Sequence, residues 1–368
     1  MIDQNVFKSE EKAVFALRSL YRKYGYLPFK MSKFEEYEFY IRNKDFLVSD
    51  RIITFNDING KLLALKPDVT LSIIKNGEDL KGVKQKVFYN ENVYRATEAR
   101  GQFKEILQAG LECIGDIDLY DIYEVVALAA ESLALISNDF VLEISHLGVL
   151  SAALDYASSD SAFKEKAIHF IADKNSHDLL KLCNDYDIDN SCAEMLTQFI
   201  SIYGERSKVI SELKVLCGDF ASEQLKELEN ISNMLETSEF SDKILFDFSV
   251  VNDMNYYNGI VFKGFLSGIS EGILAGGQYD KMMRKLDRKS GAVGFAVYLN
   301  LLEQLKEKSN SYNIDVLLIY DAECGSSLVA KAVKELVENG NTVTAQKEIP
   351  ANLRYKKLVK LGKDGDLC

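Results

Sequence analysis

The spacing of apolar residues changes several times along the first part of the chain. Over residues 9–24 apolar side chains recur at helical spacing, which predicts an amphipathic first helix. Over residues 51–65 the segments RIITF and KLLAL flank NDING, which predicts two strands joined by an Asn-Gly turn. The chain is therefore expected to begin with a helix and a hairpin, followed by a short helix over residues 68–75.

The next segments predict a larger sheet with a helical insertion. Residues 84–96 and 103–115 have the composition of paired strands around a polar loop at 97–102. A long apolar helix over residues 119–137 and a buried strand, FVLEISH, are expected to follow. Residues 158–240 are polar and almost free of glycine, and we interpret them as a helical insertion.

Strand patterns return after the insertion and end in a separate tail. KILFDFSVV and YYNGIVFKGFL are predicted as strands, and residues 294–305 as an apolar helix. A polar linker at 306–313 then precedes a strand, a helix and a strand. This organisation predicts a core over residues 1–305, containing the insertion at 158–240, and a truncated α/β segment over 313–368.

Composition narrows the functional classes. The 368 residues are 47% hydrophobic and 27% charged, as in globular proteins of two or three domains. No apolar run approaches the ~18 residues of a membrane span, and no secretory signal precedes the first helix. With 56 acidic and 44 basic residues, the net charge of −12 disfavours a protein that grips nucleic acid. We therefore expect a cytoplasmic protein that does not bind membranes.

Familiar catalytic and metal-binding motifs are missing from the sequence. The six cysteines are far apart, with no C-x-x-C pair, and there are only three histidines. No phosphate-binding P-loop, G-x-G-x-x-G or H-E-x-x-H motif occurs. The sequence therefore predicts reduced structural thiols, no metal and no cofactor.

Three separated blocks contain the most specific signal. They are LKPDVT at 65–70, a block that runs from VYR to QAGLE over 93–112, and one that runs from NYYN through AGGQYD to GAVGF over 255–295. In this order they resemble the catalytic core of class II histidyl-tRNA synthetases, over roughly residues 10–305. The resemblance implies an α+β fold of the class II aminoacyl-tRNA synthetase type, with a mostly antiparallel sheet flanked by helices.

The resemblance also implies a pocket for free histidine. Asp68 and Glu112 can accept hydrogen bonds from the α-ammonium and an imidazole N–H. Arg95 matches the arginine of motif 2 in that family and can pair with the ligand carboxylate. Alternatively, the two adjacent tyrosines are core aromatics and the carboxylates are solvated. The remaining histidine-binding candidates have hydroxyl, phenol or amide groups: Thr70, Gln108, Tyr256, Tyr257 and Tyr279.

Two arginines of the synthetase pattern are replaced. The family carries an arginine in R-G-L-D-Y-Y, where this chain has Asn252. Its motif 3 ends in G-L-E-R, whose arginine meets the nucleotide phosphates, whereas residues 298–301 are YLNL, with Leu301 at the arginine. Lys104 stands where another arginine is usual. Because losing one stabilising group typically costs ~10²–10³-fold in rate, we expect that adenylation is abolished.

The tail and the charge suggest that tRNA recognition is lost as well. Residues 313–368 supply only part of an α/β anticodon-binding domain. The profile resembles the regulatory subunits of ATP phosphoribosyltransferase, and this implies a chain without catalytic residues that binds L-histidine. By the same resemblance it would activate the short catalytic subunit in the first step of histidine biosynthesis, mediate feedback inhibition, and self-associate within a hetero-oligomer. A diverged histidyl-tRNA synthetase, a stand-alone histidine sensor and a paralogue that aminoacylates a non-tRNA carrier remain alternatives.

Overall fold

The fold contains two compact units, residues 1–304 and residues 305–368. The first unit contains a nine-stranded sheet and a small three-stranded sheet, and the second contains its own three-stranded sheet. A computed structural model describes the chain over residues 7–47, 51–77, 82–96, 102–251, 256–305 and 312–367.

The predicted helix, hairpin and helix are present in that order, but two short strands and a short helix that were not predicted lie between the first helix and the hairpin. The first helix buries the apolar stripe that includes Leu17 and Tyr21. The hairpin is antiparallel, and Gly60 in its turn has a φ of +80°, which glycine adopts without a steric penalty. In chain order these elements are α1 (Ser9–Lys23), β1 (Leu27–Pro28), β2 (Phe34–Glu36), α2 (Tyr37–Arg42), β3 (Thr54–Asn56), β4 (Leu62–Leu65) and α3 (Thr70–Asn76).

The large sheet confirms the predicted fold class. Its strand order is β1-β5-β6-β12-β11-β10-β7-β9-β8, and every neighbouring pair is antiparallel except β1 with β5 and β7 with β9. Its remaining strands are β5 (Gln85–Ala96), β6 (Phe103–Gly115), β7 (Phe140–His146), β8 (Tyr203–Gly204), β9 (Ile244–Asp247), β10 (Ile260–Leu266), β11 (Leu274–Gln278) and β12 (Gly291–Tyr298).

Helices cover this sheet and form the region between β7 and β9. Acidic and amide side chains begin several of them: Asp118 accepts hydrogen bonds from two backbone N–H groups of α4, and Asp160 accepts one from α6. The helices are α4 (Leu119–Ile136), α5 (Leu147–Ala157), α6 (Ser161–Ala172), α7 (Ser176–Asp185), α8 (Asn190–Phe199), α9 (Arg206–Cys217), α10 (Ser222–Leu235) and α11 (Asp280–Lys285). The short strand β8 interrupts the segment that was expected to be helical throughout.

The helix predicted over residues 294–305 is wrong. Gly294 to Tyr298 belong to β12, and a 3₁₀-helix follows over Leu299–Gln304. β12 lies between β6 and β11 inside the sheet and has apolar, small or aromatic residues on both faces, Val293, Phe295 and Val297 on one and Gly294, Ala296 and Tyr298 on the other. Its apolar residues therefore run on without alternation, and periodicity alone cannot distinguish such a strand from a buried helix.

The second unit is a parallel α/β layer. Its strands are β13 (Ile314–Tyr320), β14 (Val343–Gln346) and β15 (Tyr355–Leu361), and its helix is α12 (Ser326–Glu338). The order is β14-β13-β15, with all pairs parallel, and Val316, Leu318 and Ala332 belong to its core. The sequence analysis missed β15, whose lysines obscure its apolar positions. Among the described residues, no helix is both long and apolar enough to cross a membrane.

Candidate functional site

A cavity of about 200 Å³ lies on the sheet face where β5, β6, β12 and β11 run side by side. Its floor is made of small residues, Ala275, Gly294 and Ala296. Gly294 is paired with Glu112, and a Cβ at position 294 would lie 1.7 Å from the Glu112 Oε2 atom. All eight residues predicted to bind histidine line this cavity: Asp68, Thr70, Arg95, Gln108, Glu112, Tyr256, Tyr257 and Tyr279.

One end of the cavity is built around Glu112, whose exposure is 2%. Thr70 Oγ1 donates a hydrogen bond to its Oε1 at 2.7 Å, and the Tyr279 hydroxyl donates to its Oε2 at 2.6 Å. Burial raises the pKa of Glu112 to about 8, although both hydrogen bonds oppose the rise. At neutral pH this carboxyl is therefore mainly protonated, so it can donate one hydrogen bond as well as accept others.

The other end is built around Arg95 and Asp68. Arg95 Nη2 lies 3.6 Å from Asp68 Oδ2, and its Nε donates to the Pro67 carbonyl at 2.8 Å. Asp68 Oδ1 accepts a hydrogen bond from the Leu71 N–H at 2.8 Å, at the start of α3. Burial raises the pKa of Asp68, and the neighbouring guanidinium opposes that rise. This end therefore offers one cation and one anion, which match the two charges of a free amino acid.

Aromatic rings form the wall between the two ends. The ring centroids of Tyr256 and Tyr257 are 4.6 Å apart, and Tyr256 lies 5.8 Å from Tyr279 and 6.4 Å from Phe46. Burial raises the pKa of Tyr256 and Tyr257 well above the usual range, so both phenols stay neutral. Both tyrosines pack against a core cluster and also face the cavity.

The alternative in which the carboxylates are solvated is wrong. Asp68 is 9% exposed and Glu112 is 2% exposed. Such burial is unusual for acidic residues unless partners compensate for it, and each carboxyl here has them. The site thus contains two desolvated acids, an arrangement often found where a ligand binds.

The predicted set did not include seven residues that line the cavity: Phe46, Tyr89, Ala275, Gly294, Phe295, Ala296 and Tyr298. Tyr89 lies on β5 six residues before Arg95, so the two-residue period of the predicted strand places both on one face. Tyr298 was hidden by the wrong helix prediction over 294–305. It lies near the Arg95 guanidinium and contributes to raising the pKa of that arginine. No signal in the sequence indicates Phe46.

The structure describes two of the three positions where the synthetase pattern has an arginine, Leu301 and Lys104. Leu301 lies in the 3₁₀-helix after β12 and is not among the lining residues. Lys104 is exposed on β6, directly opposite Arg95 on β5. Asn252 lies outside the described residues. Among the described residues that line the cavity, Arg95 is the only one with a positive charge.

The described residues contain no cluster of three or more histidine, cysteine or acidic side chains that could hold a metal ion. Five of the six cysteines fall within the described ranges, and all five are free. The described lining residues offer hydrogen-bonding groups, one ion pair and aromatic rings.

Comparison with known proteins assigns the family. A family model described as histidyl-tRNA synthetase matches residues 3–302. The chain belongs to the histidyl-tRNA synthetase family. Within this family it resembles an ATP phosphoribosyltransferase regulatory subunit from Oceanobacillus iheyensis, with 25% identity over 96% of this chain and 88% of the relative. A histidine–tRNA ligase from Methanocaldococcus jannaschii is 29% identical over 76% of this chain and 68% of the ligase.

Solved structures share the fold of this family member. A structure from Bacillus halodurans, described as an ATP phosphoribosyltransferase regulatory subunit/histidyl-tRNA synthetase, matches with a TM-score of 0.77 at 22% identity, covering 98% of this chain and 96% of the other. The ATP phosphoribosyl transferase (HisG:HisZ) complex from Thermotoga maritima contains a chain that matches with a TM-score of 0.63 at 22% identity, covering 80% and 98%. The structural matches confirm the class II fold, and the sequence relative from Oceanobacillus iheyensis confirms the predicted resemblance to regulatory subunits.

Proposed function

We propose that this chain is a regulatory subunit of ATP phosphoribosyltransferase that binds L-histidine in the cavity and forms no covalent bonds itself. In this role it assembles with the short catalytic subunit, which joins ATP to phosphoribosyl pyrophosphate in the first step of histidine biosynthesis. Assembly activates the catalytic subunit, and histidine bound to this chain inhibits it.

The observation that best supports the proposal is the division of the cavity into a charged end and a neutral end. The Arg95–Asp68 end can pair with the carboxylate and the α-ammonium of a free amino acid. The Glu112 end, with its protonated carboxyl and the Tyr279 hydroxyl, can meet a neutral imidazole. The ligand that this pairing fits is a small zwitterion with a polar, uncharged side chain.

The absence of catalysis is supported by the shortage of cations. Attack of a carboxylate on the α-phosphate of ATP builds negative charge that fixed positive groups must stabilise. Arg95 is the single cationic side chain among the described lining residues, and it already interacts with Asp68 and Tyr298. Asn252 and Leu301 provide no replacement charge. We therefore expect histidine to bind as an effector and not to be activated.

Feedback needs histidine to favour one state of the assembled complex over another. Such coupling between two sites typically amounts to ~1–3 kcal/mol, and a ligand with equal affinity for both states would change nothing. In the proposed mechanism the cavity residues close around histidine, and the closure changes the surface that meets the catalytic subunit.

Reconstitution tests the proposal. The purified chain is mixed with a short-form ATP phosphoribosyltransferase, and co-elution and the rate of product formation are measured with and without L-histidine. We expect co-elution, a higher rate, and inhibition by histidine. The Glu112→Ala variant should still co-elute and activate but should lose sensitivity to histidine. Histidine binding without co-elution or activation would instead support a stand-alone sensor.

A second candidate function is that of a diverged histidyl-tRNA synthetase, because one relative of this chain is a histidine–tRNA ligase. That enzyme would form histidyl-adenylate and so exchange pyrophosphate into ATP when histidine is present. Charging of a non-tRNA carrier would require the same first step. Pyrophosphate exchange therefore separates both enzymatic alternatives from the regulatory role.

A further inference from the structure

Tyr298 stands out among the residues that β12 turns toward the cavity. Side chains alternate along a strand, so Gly294, Ala296 and Tyr298 share one face, and all three line the cavity. The first two leave the floor open, whereas the third places a phenol ring at its edge. Tyr298 is paired in register with Gln108, so its ring lies beside a polar residue of the candidate site.

The same position is a glycine in the synthetase motif. By the resemblance to the synthetase motif, residues 298–301, YLNL, correspond to G-L-E-R, which implies that Tyr298 replaces a residue that has no side chain. The resemblance thus implies that the ring occupies space that the motif leaves empty, three residues before the position of the motif arginine that meets the nucleotide phosphates. Tyr298 also lies near Arg95, the cation of the charged end, and both side chains line the cavity.

Adenylation would require the nucleotide to reach this same place. The attacking carboxylate oxygen and the α-phosphorus must approach to within ~3–3.5 Å. Since the carboxylate is expected at Arg95, the phosphate would need room beside that guanidinium, where Tyr298 already lies. The cavity of about 200 Å³ is also smaller than the ~300–1,000 Å³ typical of sites for drug-sized ligands.

We infer that Tyr298 is a specificity-determining residue that closes the nucleotide side of the cavity, so that an amino acid enters and a nucleoside triphosphate does not. The inference rests on the proposed function, because it explains how a synthetase-like pocket can serve as an effector site. Tyr298 would thus exclude ATP sterically, in addition to the effect of the replaced arginines. Specificity would come from a clash with the nucleotide as well as from contacts with the amino acid.

The test is a calorimetric titration of the full-length chain with MgATP at saturating L-histidine. We expect Tyr298→Gly to bind ATP at least about tenfold more tightly than the wild type. Tyr298→Phe keeps the ring and should behave like the wild type. Ala292→Gly, on the same strand but not among the lining residues, controls for loosening of the strand and should not gain affinity. Equal ATP affinity in the wild type and Tyr298→Gly would overturn the inference.

A second variant guards against a folding defect. Tyr298→Ala retains a Cβ suited to a strand and should show the same gain as Tyr298→Gly, and no gain in either variant overturns the inference. Titrating the same samples with L-histidine separates the two hypotheses. If the wild type and the variants bind histidine but their ATP affinities are equal, the role of Tyr298 is wrong and the proposed function stands. If the wild type does not bind histidine, the proposed function fails.

Discussion

The two ends of the cavity each contain a buried acid, but the two acids have opposite environments. Asp68 lies beside the Arg95 guanidinium, whereas Glu112 is held by two neutral hydroxyl groups. Burial raises the pKa of both acids, and only Asp68 has a cation that opposes the rise. The cavity therefore has one charged end and one neutral end. This combination suits a free amino acid, which has two charged backbone groups, when its side chain is polar and uncharged.

Removing the cation should have the largest effect. Arg95→Met leaves Asp68 buried without its partner, so we expect the free energy of unfolding to fall by about 3 kcal/mol. Histidine affinity should fall by about 100-fold, measured by calorimetry. Lys104→Met removes an exposed cation directly opposite on β6 and should change neither quantity. An Arg95→Met variant that binds histidine normally would show that the charged end does not hold the ligand.

At the neutral end, the acceptor should matter more than the charge. Glu112→Ala leaves the donors of Thr70 and Tyr279 without their acceptor, which costs about 1–3 kcal/mol, and histidine affinity should fall about tenfold or more. Glu112→Gln resembles the protonated carboxyl and should lose much less affinity at pH 7. If Glu112→Gln lowers histidine affinity as much as Glu112→Ala does in calorimetry, Glu112 binds the ligand as an anion. The two ends of the cavity would then not differ in charge as proposed.

The floor of the cavity should not tolerate a methyl group next to Glu112. A Cβ on Gly294 would lie 1.7 Å from Glu112 Oε2, so Gly294→Ala must displace that carboxyl. We expect a loss of about 1–3 kcal/mol in denaturant unfolding, together with weaker histidine binding. Gly362→Ala is the control, because its Cβ would meet only an ordinary contact at 3.5 Å. Equal effects of the two substitutions would contradict the close approach.

The raised pKa of Glu112 predicts a pH dependence of stability with a definite sign. The folded chain keeps the Glu112 proton up to about pH 8, whereas the unfolded chain releases it near pH 4.5. Between these values the folded state binds more protons, so this group's contribution to stability decreases as the pH rises, by up to about 1.4 kcal/mol per pH unit. Unfolding at several pH values should show the slope in the wild type and a smaller slope in Glu112→Gln. Identical slopes in the two proteins would show that the pKa of Glu112 is not raised in the folded state.

The sequence predicted most elements around the site because their patterns are local. The long strands β5 and β6 and the hairpin of β3 and β4 alternate or contain a turn signal, and all were found. The eight candidate residues came from a resemblance, not from periodicity, and they share one cavity. The sequence did not reveal Tyr298 because a strand without polar residues on either face resembles a helix. It did not reveal Phe46 because the place of that residue in the cavity depends on packing between distant segments.

The central claim is that the cavity accepts histidine without activating it. Histidine-dependent exchange of labelled pyrophosphate into ATP by the purified chain measures activation directly, and a bona fide histidyl-tRNA synthetase serves as the positive control. The account predicts histidine binding in calorimetry and no exchange above the protein-free background. Exchange that depends on histidine and disappears in Arg95→Met would show that this cavity forms an adenylate, which would contradict the account.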